Sequence, residues 1–355
     1  MANTKTFGCA IVGCGMIARF HARALADVPG TRLVALYDSI PGRAEAMAKE
    51  QGLDASAATT DLATALARPD VDIVIVSTPS GAHLESAVAA AEAGKHVVVE
   101  KPMEITTERC DRIIEACDRN RVKLCTIFPS RFADANRTLK AAIDAGRFGR
   151  LTLGETTCKW WRSQEYYDKG GWKGTKALDG GGALMNQAIH NVDLLLWMMG
   201  PVRQVVGFTD TLAHERIEVE DTAVACLRFA SGALGVILAT TSVYPGFPKT
   251  IAVHGDRGTV LIEQEDVLRW DFATETPEDT AIKQRFAQKV GASGGASDPS
   301  AISHVGHARQ LTDFVNAIRN NTAPLVDGRE GRRAVEVIQA IYQSAETGRP
   351  ITIGN

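Results

Sequence analysis

Long apolar runs are scarce in this chain of 355 residues. The longest, such as Leu194 to Met199, fall far short of a bilayer span, and the N-terminus runs into a strand pattern without the layout of a signal peptide. A cytoplasmic protein with no membrane partner is expected. Charge of one sign is lacking as well: 39 basic against 42 acidic residues leave a net charge of −3. That excludes a general attraction to nucleic acid, and no nucleic-acid partner is expected. Paired cysteines are missing. The seven cysteines (Cys9, Cys14, Cys110, Cys117, Cys125, Cys158, Cys226) are odd in number and form no CxxC pair, which fits reduced, mostly buried thiols. No Cys/His ligand cluster is legible, so no metal is expected. What is plentiful is core-forming material: 45% of the residues are apolar, and the length exceeds the range in which one core usually serves. Two domains are expected, residues 1–128 and 129–355, with small-molecule chemistry as the default.

Phe7 to Val12 reads as a buried strand, followed by Gly13-Cys-Gly15-Met16-Ile17-Ala18 and a helix to about Ala26. This is GxGxxA in a strand–turn–helix setting. Gly13 allows the tight turn, Gly15 admits a pyrophosphate to the backbone, Ala18 lets the helix pack on its strand, and the N–H groups at Met16 and Ile17 face the phosphates. A second strand, Thr31 to Tyr37, ends at Asp38, at the spacing of about 20 residues expected for the carboxylate that binds a ribose 2′-hydroxyl. Asp38 disfavours the extra phosphate of NADP, while Arg43 partly offsets it. NAD is the expected cofactor, with NADP use open; the alternative for Asp38 is a solvated loop carboxylate. Asp61 looks like a helix N-cap before Leu62 to Ala67.

The near-continuous apolar strand Val71 to Ser77 has the character of a parallel sheet. It ends in Ser77-Thr78-Pro-Ser-Gly-Ala-His83, where Ser77, Thr78 and His83 are candidates to line the cofactor crevice; His83 reads equally as an ordinary first-turn residue. The next strand, His96 to Val99, delivers Glu100-Lys101-Pro102 to the same edge, where Glu100 and Lys101 are further candidates to bind the cofactor. Lys101 is expected to face the nicotinamide region, where nearby positive groups favour a lowered pKa and proton transfer. A lone strand-end lysine is otherwise a surface charge.

The stretch Asp179-Gly-Gly-Gly-Ala-Leu-Met-Asn186-Gln-Ala-Ile-His190-Asn-Val-Asp193 runs three glycines into a helix. At about 3.6 residues per turn, Asn186, His190 and Asp193 share one face, with Ala188, Val192, Leu195 and Met199 nearly opposite. The expectation is a packed side and a side left free for chemistry, the glycines admitting a ligand or another backbone. The alternative is a solvated face after an ordinary turn. Before it, Leu151 to Lys159 reads as a strand, followed by a concentration of aromatics: Trp160, Trp161, Tyr166, Tyr167 and Trp172, interleaved with Arg162, Gln164, Asp168 and Lys173. In a protein with only 6% aromatic residues, this suits a wall for a sugar or cyclitol ring, with Trp161, Tyr166, Tyr167 and Trp172 as its candidates; aromatic packing at a domain interface is the competing reading.

The GxGxxA turn, Glu100-Lys101-Pro102 and the Gly-rich helix with His190 and Asp193 together resemble the Gfo/Idh/MocA oxidoreductases. So do Ala141 to Arg150 and the tail from Asp327 to Thr352, and the likeness spreads over nearly the whole chain. The resemblance implies a Rossmann domain followed by an α/β domain whose large open sheet often supports oligomers, here a homodimer or homotetramer, with substrate held between the two. It implies that Lys101 and His190 are catalytic, that the Lys101–Pro102 bond is cis, and that Arg162 touches the nicotinamide ribose or the pyrophosphate. Asn186 departs from the pattern, since many members carry Asp four residues before the histidine, and an amide cannot accept a proton as a carboxylate does.

From Val202 to Leu268 several strands are legible: Val202 to Phe208, Thr222 to Phe229, Ala233 to Thr241, Lys249 to His254 and Gly258 to Ile262. They predict a large, antiparallel-rich scaffolding sheet. Gly291 to Ser300 reads as a mobile loop; Ala308 to Arg319 and Arg332 to Thr347 read as helices. The expected function is NAD-dependent oxidation of a secondary hydroxyl of a sugar, anhydrosugar or cyclitol. His190 would serve as base, Lys101 would polarise the oxygen and share the proton, and Asn186 would orient the hydroxyl, all three touching substrate. Asp193 fixes the helix or the His190 tautomer, or is purely structural. An NAD-dependent glycosidase and a non-catalytic NAD-binding sensor are the rivals.

Overall fold

The computed structural model describes residues 5–169, 171–286 and 303–354; Gly291 to Ser300 lie outside them. The chain forms two compact units, one of residues 5–129 with 303–332 and the other of residues 130–286 with 333–354 among those described. A single cut after residue 128 therefore misplaces the segment 303–332, which returns to the first unit.

The first unit holds strands β1 (Phe7–Val12), β2 (Thr31–Tyr37), β3 (Ala58–Thr59), β4 (Ile73–Val76), β5 (His96–Val99) and β6 (Leu124–Thr126). All pair in parallel, in the order β3-β2-β1-β4-β5-β6. β1 and β4 are buried along their whole length, as helices on both faces of a parallel sheet require. The strand order reverses direction between β1 and β4, the switch point at which such sheets open a ligand crevice. Val12 pairs with Val76, and Val76 with Val99, so Gly13, Ser77 and Glu100 leave one edge together. Asp61 caps its helix as expected, accepting the N–H groups of Ala63 and Thr64. Helix Val305–Asn320 supplies Leu311, Phe314 and Val315 to the core formed by helix Met16–Ala26 and the sheet.

The second unit is built on β7 (Leu151–Lys159), β8 (Val202–Asp210), β9 (Thr222–Phe229), β10 (Leu234–Thr240), β11 (Thr250–Gly255), β12 (Gly258–Glu263), β13 (Asp266–Phe272) and β14 (Ile351–Thr352). The order is β13-β12-β11-β7-β10-β9-β8-β14, antiparallel except for β7 with β10. Burial alternates along β9, the pattern of a sheet with one packed face. Helix Ile189–Met199 lies on that face. It packs so closely that a Cβ on Gly154 of β7 would stand 2.6 Å from Met199 Cγ. The opposite face carries Phe208, Val224 and Leu234, all exposed. No helix among the described residues is long and apolar enough to cross a membrane.

Candidate active site

Between β1 and helix Met16–Ala26 the backbone does what the glycine spacing predicts. Gly13 has φ +91°, and a Cβ on it would meet the Ser77 carbonyl oxygen at 2.8 Å; no side chain is accommodated there. At Gly15, the helix N-cap, nothing lies within 4 Å of an added Cβ. Among the described residues that helix has no side-chain cap and no acid in its first turn. An open approach to helix N–H groups at Met16 and Ile17, without a competing carboxylate, suits a diphosphate. Ser77 Oγ donates to the carbonyls of Val12 (3.1 Å) and Gly13 (2.8 Å), and Thr78 Oγ1 donates to Ala82 O; both hydroxyls shape the crevice edge.

Asp38 is nearly buried, and its carboxylate is aimed by two backbone donors, Cys14 N–H at 2.8 Å and Ile40 N–H at 2.9 Å. Each oxygen keeps a lone pair with which to accept a ribose hydroxyl. Replacing Asp38 by Asn is expected to lower the preference for NAD over NADP by about tenfold, or about 1.4 kcal/mol, when both dissociation constants are titrated. An unchanged ratio would remove Asp38 from the cofactor site.

Lys101 is half-buried at the end of β5, joined to Pro102 by a cis bond. Two side chains, Glu100 and His83, fix this corner from behind. Glu100 accepts the Lys101 N–H at Oε2 (3.0 Å) and meets His21 Nε2 at Oε1 (2.7 Å). His307 Nε2 stands 3.8 Å from the same oxygen. Burial pushes the Glu100 carboxyl up, but the hydrogen bond and charge of His21, with the charges of His307 and Lys101, outweigh it and hold the group at about 2. Burial lowers His307 to about 4. These three side chains bring ligand atoms within 4.8 Å of one another, a donor set a divalent cation would accept. The carboxylate already serves His21 and the Lys101 backbone, so Glu100 is turned inward instead of toward the cofactor as expected. The expectation for His83 is corrected too. Its ring is buried, with Nδ1 2.9 Å from Pro102 O and Nε2 3.0 Å from Thr78 O. It therefore braces the Lys101–Pro102 corner from within.

In the second unit the Gly-rich stretch opens into a π-helical turn, Ala183–Ala188, continued by helix Ile189–Met199. π turns occur often at functional sites. Within 183–199 only Asn186, His190 and Trp197 reach partial exposure. The free side expected of this helix is thus narrower than an even α-periodicity suggests, and Asp193 is not on it. Asp193 is buried and makes a two-point ion pair with Arg131, at 2.6 and 2.9 Å; its role is structural. Asn186 is better equipped than its residue type implied. Its amide donates to Asp179 Oδ1 at 2.7 Å, and Asp179 is itself buried and accepts the Gly174 N–H. A carboxylate therefore stands directly behind the amide. The close approach for which the glycines make room is made by protein: a Cβ on Gly182 would lie 1.7 Å from Glu220 O, and one on Gly181 2.2 Å from the Tyr342 hydroxyl.

The aromatic segment divides. Trp161, Tyr166 and Trp172 are half-buried, as a wall requires. Tyr167 is not part of it: the ring is buried and its hydroxyl is hydrogen-bonded to Thr241 Oγ1 at 2.9 Å. Arg162 is buried, its guanidinium over the rings of Trp160 (5.0 Å) and Tyr166 (5.5 Å) and donating to Trp161 O. Lys173 Nζ sits 3.8 Å from the Tyr166 ring centre; burial lowers its pKa, with Asp179 opposing and Arg162 reinforcing the shift. His214 supports the segment, reaching Arg162 O at 2.8 Å and Asp221 Oδ2 at 2.9 Å. Sequence reasoning missed His214, Glu220 and Asp221. The only signal was an acidic pair just before a strand, which loops commonly carry.

A parallel dinucleotide-type sheet with its glycine turn in one unit, and in the other a mostly antiparallel sheet whose packed helix bears a polar pair, define an NAD-binding oxidoreductase architecture. Residues 7–128 match the oxidoreductase family with NAD-binding Rossmann fold, and residues 136–261 match the GFO/IDH/MocA C-terminal domain. The chain belongs to the GFO/IDH/MocA family. It is 35% identical to the WlbA dehydrogenase of Bordetella pertussis, solved with NADH and UDP-GlcNAcA, over 100% of both chains with a TM-score of 0.90. The WlbA dehydrogenase of Chromobacterium violaceum, solved with the same two ligands, is 34% identical over 99% of this chain and 97% of that one, with a TM-score of 0.86. Myo-inositol 2-dehydrogenase of Thermotoga maritima is 28% identical over 97% of each chain.

Proposed function

We propose that this protein oxidises a secondary hydroxyl of a sugar ring to the ketone, with NAD as acceptor and with Lys101 and His190 handling the proton. The observation that carries the reading is the pair Asn186 and His190, half-exposed on an otherwise buried helix and backed by the buried carboxylate of Asp179. Bound NAD supplies the hydride acceptor. His190 takes the hydroxyl proton; Lys101, its backbone fixed by Glu100, polarises the oxygen; Asn186, held by Asp179, orients the hydroxyl. The carboxylate that Asn186 itself lacks is thereby retained one side chain back, where it holds the amide's direction instead of receiving the proton.

For the substrate we favour a nucleotide-linked sugar acid over a free cyclitol. Two relatives at 34–35% identity were solved with UDP-GlcNAcA. On this chain's side the support is cationic: Arg162 and Lys173 flank the Tyr166 ring, and two positive groups in a half-buried place suit a carboxylate. The exposed apolar residues of the open sheet, Phe208 above all, support a homo-oligomer.

The test is NADH formation by the purified protein with NAD or NADP across UDP-GlcNAcA, inositols, free sugars, anhydrosugars and aryl glycosides. A strong signal with UDP-GlcNAcA and little elsewhere is expected. Signal confined to inositols would overturn the substrate class. Release of an aglycone without net NADH would replace dehydrogenation by a glycosidase, and silence throughout with confirmed NAD binding would favour a sensor.

A further inference from the structure

A π turn is a rare conformation, and here it carries Asn186 at its centre and leads directly to His190, so something must hold it in place. Glu220, at the entry to β9, takes the three N–H groups that open the turn. Its Oε2 accepts from Gly182 N–H and its Oε1 from Leu184 N–H, both at 2.8 Å, while its backbone carbonyl accepts from Ala183 N–H at 3.0 Å. Tyr342, on helix Gly328–Thr347, donates its hydroxyl to Oε1 at 3.0 Å. Glycines at 181 and 182 are what allow Tyr342 and Glu220 this close.

We propose that Glu220 is the positioning residue of the catalytic helix: its ionised carboxylate clamps residues 182–184 and so sets where Asn186 and His190 stand, and protonation loosens that clamp. The inference rests on the reading of Asn186 and His190 as the reactive groups. Glu220 acts through the backbone and takes no proton from the substrate. Glu220 is buried, and both of its carboxylate oxygens are taken by donors. A carboxylate accepts at both oxygens, whereas the neutral acid must turn one of them into a donor: at Oε2 it would face the Gly182 N–H, and at Oε1 it would face the Leu184 N–H and force the Tyr342 hydroxyl to turn from donor to acceptor.

The surroundings set the sense of the pH dependence. Burial pushes the Glu220 carboxyl up to about 7, with the hydrogen bonds from Leu184, Gly182 and Tyr342 pulling it back. The titratable groups nearby are Tyr342 on its own helix, Asp179 in the loop before the π turn, whose charge bears on Tyr342, and Asp221, next in the chain and paired with His214. The clamp is therefore set above about pH 7 and released as pH falls through that value. Turnover should fall on the acid side.

The experiment compares the full-length wild type with E220Q and Y342F, reading turnover against pH, NAD affinity, and amide hydrogen exchange at residues 182–186. E220Q is expected to lower kcat by about tenfold or more above neutral pH with NAD affinity unchanged, and to speed exchange at Gly182 and Leu184 by about tenfold. Y342F, which loses only a hydroxyl, is expected to move the acid limb of the kcat profile to higher pH, because it removes a donor that favours the carboxylate. Wild-type turnover and exchange in E220Q would overturn the proposal. Should E220Q fail to fold, Y342F decides alone, and a profile superimposable on the wild type overturns it. Failure of the catalytic reading would show separately, as full activity when His190 itself is replaced; the exchange measurement would still report whether Glu220 holds the turn.

Discussion

Replacing His190 by Asn is expected to lower kcat by about a hundred- to ten-thousand-fold while leaving NAD affinity unchanged. The imidazole is the group best matched to accepting a hydroxyl proton near neutral pH, and Asn keeps its polarity and approximate size without a basic nitrogen. The spared property follows from the fold. The glycine turn, Asp38 and the end of β4 all belong to the first unit, whereas His190 belongs to the second. Single-turnover kinetics with saturating NAD would read the chemical step, and fluorescence titration the affinity. Replacing Lys101 by Ala is expected to give a loss of comparable size, again with NAD still bound. Full activity in both variants would remove Lys101 and His190 from the chemistry and leave the family assignment untouched.

Asp193→Ala is expected to destabilise the protein by about 3–5 kcal/mol, lowering the melting temperature of a unit this size by about 6–20 °C. The reason is the buried Arg131. Its guanidinium is 2% exposed, held at two points by Asp193 and lying 5.4 Å from the centre of the Trp197 ring. Removing the carboxylate leaves that charge buried without its counterion. The double replacement Arg131→Met with Asp193→Leu removes both charges and is expected to recover most of the loss, since a well-packed apolar pair often equals a buried ion pair. Thermal denaturation of Arg131→Met, Asp193→Leu and the double variant forms the cycle. Additive losses would mean that the pair contributes through unrelated contacts.

The contrast between half-exposed His190 and buried Asp193 shows what a helical period can and cannot say about a residue. The strands of the first unit were legible because their residues are apolar on both faces, and the glycine turn because its geometry admits few other residues. In the second sheet the five strands read from the sequence match β8 to β12 to within one or two residues. β13 (Asp266–Phe272) and the two-residue β14 were not read as strands. His190 and Asn186 were legible as polar residues on a helix. Asp193 was misplaced on the same grounds, because an even helical period cannot register the π turn before it, nor a partner 62 residues earlier. Tyr167 and His83 fail in the same way: each looks like a ligand-facing residue until a buried acceptor or donor from elsewhere in the chain claims its polar atom. Asp179 shows the converse. Its contact with Asn186 spans one π turn and a glycine loop, and no pattern of spacing would have paired them.

The return of residues 303–332 to the first unit bears on how the protein is made. Leu311, Phe314 and Val315 belong to the core around helix Met16–Ala26, and Gln310 bonds the backbone of Thr126, the last residue of β6, and of Phe128 just beyond it. During translation these residues emerge only after seven of the eight strands of the second sheet, β7 to β13. The nascent NAD-binding unit thus waits with an uncovered apolar face until β7 to β13 of the second unit have been made, so the part whose sequence is simplest to read finishes folding only after most of its neighbour has been synthesised.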